Sequence, residues 1–217
     1  MLSIMNTVWK ANTNLFYDTT YDWCKELRDS HKEIRDEFLE YQRSNHIPTF
    51  GQISKEQQFL ADYQEKKWRV AVLYLYGKDT KLCEQFPITY SIVKKIPNCR
   101  LCMFSILEPH KSIPPHKGPN NCILRYHLGI ITPQKKEECY MTIDNNKVNW
   151  EEGKDMLFDD TYEHYVENNT DEQRVVLFLD IQKKYENPFL NVFNDILFYL
   201  SSFNSTVVEI YNNVQSF

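Results

Sequence analysis

Seven short runs crowd the stretch from Trp68 to Gln182: WRVAVLYLYG, RLCMFSIL, ILRYHLGII, ECYMTID, MLFDD, EHYVEN and RVVLFLDIQ. They are rich in β-branched and aromatic residues, many alternate apolar with polar positions, and Pro, Gly, Asn and Asp separate them. Each reads as a strand with one face turned to a core. Ahead of them, in YDWCKELRDSHKEIRDEFLEYQR, Trp23, Leu27, Ile34, Phe38 and Tyr41 recur at helical spacing between charged residues, so the first forty-odd residues are expected to be helical. Closely spaced strands behind a helical stretch predict a barrel or sandwich carrying a helical flank.

A chain of 217 residues with 42% hydrophobic residues is long enough for one domain with a full core. Its net charge of -5 supplies no general attraction to nucleic acid, and none is expected as a partner. The N-terminal MLSIMNTVWKANTN lacks the basic region, apolar run and cleavage site of a signal peptide. No run approaches the ~18 to 20 apolar residues of a spanning helix, and the expected location is intracellular, in the cytoplasm. The cysteines (Cys24, Cys83, Cys99, Cys102, Cys122 and Cys139) are scattered in a way that suits reduced thiols. Cys99 and Cys102 form a CxxC, but three residues apart on a strand they are expected on opposite faces, which argues against a zinc site. With five glycines in all, no Gly-rich phosphate loop is available.

The polar residues of PPHKGPNNCILRYHLG are harder to accommodate. Period-2 geometry puts Arg125 and His127 on one face and Leu124, Tyr126 and Leu128 on the other. A charge withdrawn from water needs a partner, which points to a site for an anion. His116 is expected in the loop before this strand and His164 in a later one, and two neutral imidazoles on neighbouring strands can converge on a divalent metal. Arg174 opens an apolar strand, a place suited to gripping a carboxylate with both arms of its guanidinium. Taken singly, His116 reads as a surface histidine and His164 as a hydrogen-bonded core residue; taken together with the arginines they read as a metal site. His31 and His46 are expected to be solvated and His110 to sit on the rim.

His116-Lys117-Gly118-Pro119, the LRYHLG run, the W-x-x-G of Trp150 to Gly153, the FDD-x-x-EH run ending at His164, and Arg174 stand in an order that resembles the aspartyl/asparaginyl β-hydroxylases. The resemblance covers Trp68 to Asp180, with a vaguer match upstream. It implies a mainly β protein with a helical flank, built on a double-stranded β-helix (jelly-roll, cupin-like). It implies an Fe(II)- and 2-oxoglutarate-dependent dioxygenase that hydroxylates an unactivated C–H while 2-oxoglutarate and O2 become succinate and CO2. His116 and His164 would be the iron ligands, Ser105 and Arg174 would hold the distal carboxylate of 2-oxoglutarate, and Arg125 and His127 would lie near its chelating end. The carboxylate usual two residues after the first histidine is replaced by Gly118, a loss common in this family. Asp159 or Asp160 could supply a carboxylate, but support from behind the ligands or a hydrogen bond at a strand end is the expected role. One oxygenase domain is expected over 1–187, with its flank at 1–66 and its barrel at 67–184, followed by a tail at 188–217.

Family members acting on Asp or Asn side chains carry basic residues where this chain has Met103 and Ile123. That exchange disfavours a carboxylate-bearing substrate, which would be desolvated without a partner, and favours relatives that hydroxylate fatty acyl chains on lipids. A non-catalytic cupin-like protein that binds metal and carboxylate is the reading from another class. In the tail, Pro188 suits a first helical turn, and Phe189, Phe193, Ile196, Leu200, Phe203, Val207, Ile210 and Val214 follow at steps of four and three. That seam, interrupted around SSFNS, predicts a helix laid on its own barrel or on a partner chain, with a membrane-surface helix and a disordered or frayed tail as the alternatives.

Overall fold

The computed structural model describes residues 14–63, 67–118 and 122–217. The N-terminal segment read for a signal peptide, and Pro119 of the HKGP motif, lie outside the described residues. In chain order the elements are β1 (Phe16–Tyr17), α1 (Asp22–Asp29), α2 (His31–Ser44), α3 (Phe50–Ile53), α4 (Gln58–Ala61), β2 (Trp68–Leu75), β3 (Lys78–Asp79), α5 (Pro87–Val93), β4 (Cys99–Leu107), β5 (Ser112–His116), β6 (Ile123–Ile131), β7 (Cys139–Ile143), β8 (Asn146–Asn149), β9 (Asp155–Phe158), β10 (His164–Asn168), β11 (Arg174–Gln182), α6 (Pro188–Ser201) and α7 (Ser205–Ser216).

The strands form two sheets, a larger one in the order β1-β9-β6-β11-β4-β2-β3 and a smaller one in the order β5-β10-β7-β8. Along the chain β4, β6, β9 and β11 enter the large sheet while β5, β7, β8 and β10 enter the small one, and the pairings are antiparallel. Alternation of this kind winds two Greek keys into a double-stranded β-helix, the jelly-roll of cupin-like proteins. Long strands of the large sheet have two buried faces. On one, Cys102, Phe104, Tyr126, Leu128, Leu177 and Leu179 pack under Leu27, Ile34 and Phe38 of α1 and α2. On the other, Met103, Val176 and Phe178 meet Ile113, Met141 and Val166 of the small sheet. Period-2 alternation on β6 therefore holds, with Tyr126 and Leu128 facing the helices and His127 against Phe158 and Phe178 inside the barrel.

Four expectations are corrected by the chain's local chemistry. The flank is not helical from its start, because Phe16 and Tyr17 pair with Phe158 and Leu157 as an edge strand. The long helix is broken at Ser30, where α1 ends and α2 begins. His116 ends a strand and is not in a loop; that strand tolerates Pro114 and Pro115 because β5 is an edge and its register with β10 shifts between the His116 and Ile113 pairs, where these two residues lie. Cys99 lies on the same side as Cys102, since β4 spends one extra residue where Leu101 pairs with Asp180 and Cys99 with Ile181. All six cysteines are buried and none is joined in a disulfide.

The tail divides where its seam is interrupted. α7 returns over the barrel: Val214 is buried, and Asn213 Nδ2 donates to the Ile53 carbonyl at 3.1 Å. α6 crosses the barrel end, with Phe198 against Cys122, Ile123 and Tyr76. Among the described residues no helix is long and apolar enough to cross a membrane.

Lys111, ahead of β5, is fully buried, and its ammonium donates to the carbonyls of Leu60 (3.0 Å), Ala61 (2.9 Å) and Tyr63 (2.7 Å) at the end of α4. A charge withdrawn from water is tolerated because three helix-end carbonyls replace its hydration. Lys111→Met should lower unfolding stability by about 3 kcal/mol, since those carbonyls lose their donor; chemical denaturation measures it, and a loss under about 0.5 kcal/mol would refute the role.

Candidate active site

The cleft between the two sheets is lined by all six residues singled out in the sequence: Ser105, His116, Arg125, His127, His164 and Arg174. His116 ends β5 and His164 begins β10, and the register pairs them directly. Their ring centroids lie 4.2 Å apart. Each ring turns Nδ1 back to a carbonyl two residues upstream, His116 to Pro114 at 2.8 Å and His164 to Tyr162 at 2.9 Å. That bond makes Nδ1 the donor and leaves Nε2 as the basic nitrogen. Burial lowers the pKa of His116, and burial together with His116 lowers that of His164 to about 3. Two neutral imidazoles side by side could hold a divalent metal. Among the described residues, no group of three or more His, Cys, Asp or Glu gathers into a fuller ligand set.

The place left by the missing carboxylate is occupied from elsewhere in the chain. A Cβ on Gly118 would be driven onto the carboxylate of Asp160, whose carbonyl accepts from the Gly118 N–H at 2.7 Å. Asp160 is fully buried, and its Oδ2 lies 2.8 Å from Arg125 Nη1. Neither of its oxygens makes a well-directed hydrogen bond among the described residues. Burial raises its pKa to about 6 against the opposing pull of Arg125. Asp159 does different work: it accepts from Lys183 Nζ at 2.5 Å and from Thr161 Oγ1 at 2.7 Å, closing the turn before β10.

The two arginines differ in what balances them. Arg125 bonds Asp180 on the neighbouring strand at 3.0 Å, faces Asp160, and lies over the Phe178 ring at 4.5 Å. The partner its charge needs is thus supplied within the protein. Arg174 is buried at the opposite end of β11, stacked on the Trp150 indole at 4.5 Å, and its Nε has no hydrogen-bond partner. Burial, without a carboxylate to offset it, lowers its pKa to about 10. Nearby, the Ser105 hydroxyl accepts from Trp68 Nε1 at 2.9 Å, which leaves its own proton to donate. His127 accepts from Trp150 Nε1 at 3.3 Å through Nδ1, so its proton sits on Nε2, and that nitrogen is buried without a partner. Burial and the two arginines hold the ring neutral. The cleft therefore presents an uncompensated guanidinium, a free hydroxyl proton and an imidazole N–H, the donor set of a buried anion site.

Two tryptophans whose roles the sequence did not disclose set this arrangement. Trp150 touches both His127 and Arg174, and it can approach because Gly129 has no Cβ to strike the Glu151 carbonyl. The W-x-x-G motif and the glycine of LRYHLG carried that signal. His31, expected in solvent, is half-buried, with Nδ1 3.0 Å from the Arg28 carbonyl.

Fold and cleft together define a double-stranded β-helix protein with a polar, donor-rich site between its sheets. The chain belongs to the aspartyl/asparaginyl β-hydroxylase family, whose model matches residues 28–184. It is 38% identical over 175 residues to an ornithine lipid ester-linked acyl 2-hydroxylase of Rhizobium tropici, covering 79% of this chain and 62% of that one. It is 34% identical over 120 residues to the human aspartyl/asparaginyl beta-hydroxylase, covering 52% of this chain and 16% of that one. The match thus spans less than two thirds of either relative's length. A Pseudomonas putida prolyl-4-hydroxylase structure is similar at 10% identity and a TM-score of 0.48, over 85% of this chain and 100% of that one.

The contact between Gly118 and Asp160 predicts a coupling. Gly118→Ala should destabilise the protein by about 2 kcal/mol, because a methyl group displaces a buried carboxylate, and by much less in an Asp160→Ala background. Thermal unfolding of the four proteins of this cycle tests it, and equal costs in both backgrounds would dismiss the contact.

Proposed function

We propose that the protein is an Fe(II)- and 2-oxoglutarate-dependent dioxygenase that hydroxylates an unactivated C–H, with an acyl chain on a lipid as the favoured substrate class. The observation that carries the cosubstrate is Arg174, a buried guanidinium with an unpartnered Nε beside Ser105. A dicarboxylate of this length would bring its distal carboxylate to Arg174 and Ser105 and its other end toward the histidines. The residues fit the metal too: His116 and His164 offer neutral nitrogens and would hold iron between them. When bound, iron with 2-oxoglutarate supplies O2-dependent hydroxylation coupled to formation of succinate and CO2.

The chain's own contribution is binding, orientation and charge. The backbone bonds at both Nδ1 atoms fix the ligand rings. His127 Nε2–H donates toward the anion, and Trp150 holds that tautomer. Arg125, matched by Asp160 and Asp180, supplies fixed positive charge at the mouth while leaving little net demand for a second anion. Phe158 and Phe178 close the walls around these groups.

For the substrate, the positions that carry cations in relatives acting on Asp or Asn are apolar here. Met103 lies in the barrel interior and Ile123 packs against Phe198. Neither can balance a carboxylate, whereas both suit a hydrocarbon. The first relative named above, by its name an ester-linked acyl 2-hydroxylase, supports the same class. A binder without turnover is the competing reading.

Anaerobic addition of Fe(II) and 2-oxoglutarate should produce a visible metal-to-ligand charge-transfer band. His116→Ala should abolish it, and Arg174→Ala should raise the 2-oxoglutarate needed at least tenfold. Folded protein without a band would end the oxygenase reading; a band without succinate formation would leave a binder. Hydroxylation of Asp-containing peptides but not of acyl lipids would overturn the substrate class.

Acidity provides a separate check. Imidazoles of ordinary pKa lose their lone pairs to protons as pH falls from 8 to 6, which would weaken a two-histidine metal site on the order of tenfold. Burial lowers His116 below that ordinary value and, together with His116, lowers His164 to about 3. Metal affinity measured by titration should therefore fall by less than about tenfold between pH 8 and pH 6, and a full tenfold loss would refute the effect of burial.

A further inference from the structure

α6 is apolar on the side that touches the barrel and apolar again on the side that does not. Inward, Phe198 packs on Cys122, Ile123 and Tyr76 and lies 5.0 Å from the Arg100 guanidinium. Outward, Phe189, Val192, Ile196, Tyr199 and Leu200, with Phe203 in the turn that follows, are each between 50% and 82% exposed. Their spacing of three and four aligns them in one stripe along the helix. Single exposed apolar side chains are ordinary, but six large ones in fifteen positions form a patch of the kind that marks an interaction surface.

The position of this stripe is fixed. Ile123, which Phe198 covers, precedes Arg125 by two residues on β6 and so shares its face, about 7 Å further along the strand. Asp195 anchors the helix, accepting from Gln182 at 2.8 Å and lying 3.6 Å from Arg100. Gln182 in turn pairs with Ile123 across β11 and β6. α6 therefore lies across the end of the barrel at which His116, Arg125 and Asp160 gather.

The chemistry of the stripe selects its occupant. Protein partners usually exchange about one hydrogen bond per 100–200 Å² of interface, and α6 has almost none to offer. Asn187 caps the helix at Phe189 N–H, Asn191 exchanges hydrogen bonds with the Tyr185 backbone, and Asn194 is buried against the Lys183 carbonyl. The hydroxyls of Ser201 and Ser202 return to carbonyls of their own helix. The sole charge of the helix, Asp195, is tied to the barrel. What remains outward is hydrocarbon with one phenol, on Tyr199, an arrangement that acyl chains satisfy without any directed bond and that places the hydroxyl at headgroup level.

We propose that the outward face of α6 inserts into a lipid surface and seats the mouth of the cleft on it. The inference rests on the acyl-lipid reading for its purpose, but not for its test. Because the stripe carries no lysine or arginine, the binding is hydrophobic and insensitive to salt and to anionic lipid.

Metal-free, full-length protein would be sedimented with phosphatidylcholine vesicles at low and high salt. The expected result is salt-independent partition that falls at least tenfold in Ile196→Ser/Leu200→Ser and is unchanged in Phe59→Ser, an exposed aromatic on α4. Matching thermal unfolding would show that the double variant is folded. As a second measurement, Tyr199→Trp should be quenched by vesicles brominated on their acyl chains. Wild type left in the supernatant, a double variant that partitions like wild type, or an unquenched tryptophan would each overturn the proposal. So would a dimer in size-exclusion chromatography that the double variant splits, since the face would then belong to a second copy. Vesicle binding without hydroxylation would fail the functional reading alone; hydroxylation of detergent-dispersed acyl lipid without vesicle binding would fail this inference alone.

Discussion

Each long strand of the large sheet has to serve two interiors at once, and the rest of the molecule follows from that constraint. On β6, β11 and β4 one face is sealed by α1 and α2 and the other looks across to the small sheet. The helix-facing side is filled with hydrocarbon and carries stability in proportion to apolar area removed from water. The barrel-facing side is where polar groups could be admitted without breaching the core, because its far wall, the small sheet, brings two histidines opposite. Asp155 fastens the two layers at the sheet edge, accepting from Arg28 at 2.5 Å, Tyr126 at 3.0 Å and Thr19 at 3.2 Å.

Within that interior, charge is distributed unequally, and the inequality marks the site. A buried arginine with carboxylates on two sides is a structural fixture, since removing any partner would strand the others. Arg125 is of this kind. Arg174 is not: stacking on Trp150 stabilises its plane but supplies no counter-charge. A protein keeps such a group at a cost in stability unless a ligand offsets it, which is why the arginine without a partner says more about function than the one with two. The same reasoning applies to Gly118. The residue is fixed by the carboxylate that fills the space beside it, supplied by Asp160 from the turn that leads into β10 and His164.

Much of this was legible in the sequence, and the illegible part has physical reasons. Alternation exposed β2, β4, β6 and β11, and it put Arg125 and His127 on one face, because period 2 is a property of the chain alone; that this face looks into the barrel was implied by the family resemblance. β5 was invisible: Pro114 and Pro115 argue against a strand unless the strand is known to be an edge, and edges are decided by sheet order. The side shared by Cys99 and Cys102 depended on a bulge, and a bulge is set by the partner strand. The six cleft residues could be named, yet their partners could not. Nothing in FDDTYEH distinguishes Asp160, pressed against Gly118, from Asp159, bonded to Lys183; that difference arises only when distant segments meet. Trp150 and Trp68 were likewise hidden, because an indole N–H reads as core until the acceptor across the barrel is known.

The tail ties the chemistry of the cleft to the surface of the molecule. Ile123 stands where a cation would engage an acidic substrate in relatives of the other branch, and Phe198 lies directly on it. With Ile123 there, the end of the barrel carries an apolar contact under α6, which on the proposed reading would disfavour a charged side chain. A helix recruited merely to cover the rim would turn a polar back to water. α6 instead is apolar on both sides, with Phe198 turned inward onto Ile123 and Tyr76 and the exposed stripe turned outward. On the acyl-lipid reading, a helix that is apolar outward would hold the mouth of the cleft at a lipid layer and shorten the stretch over which a hydrocarbon chain meets water, each methylene group so spared being worth about 0.8 kcal/mol.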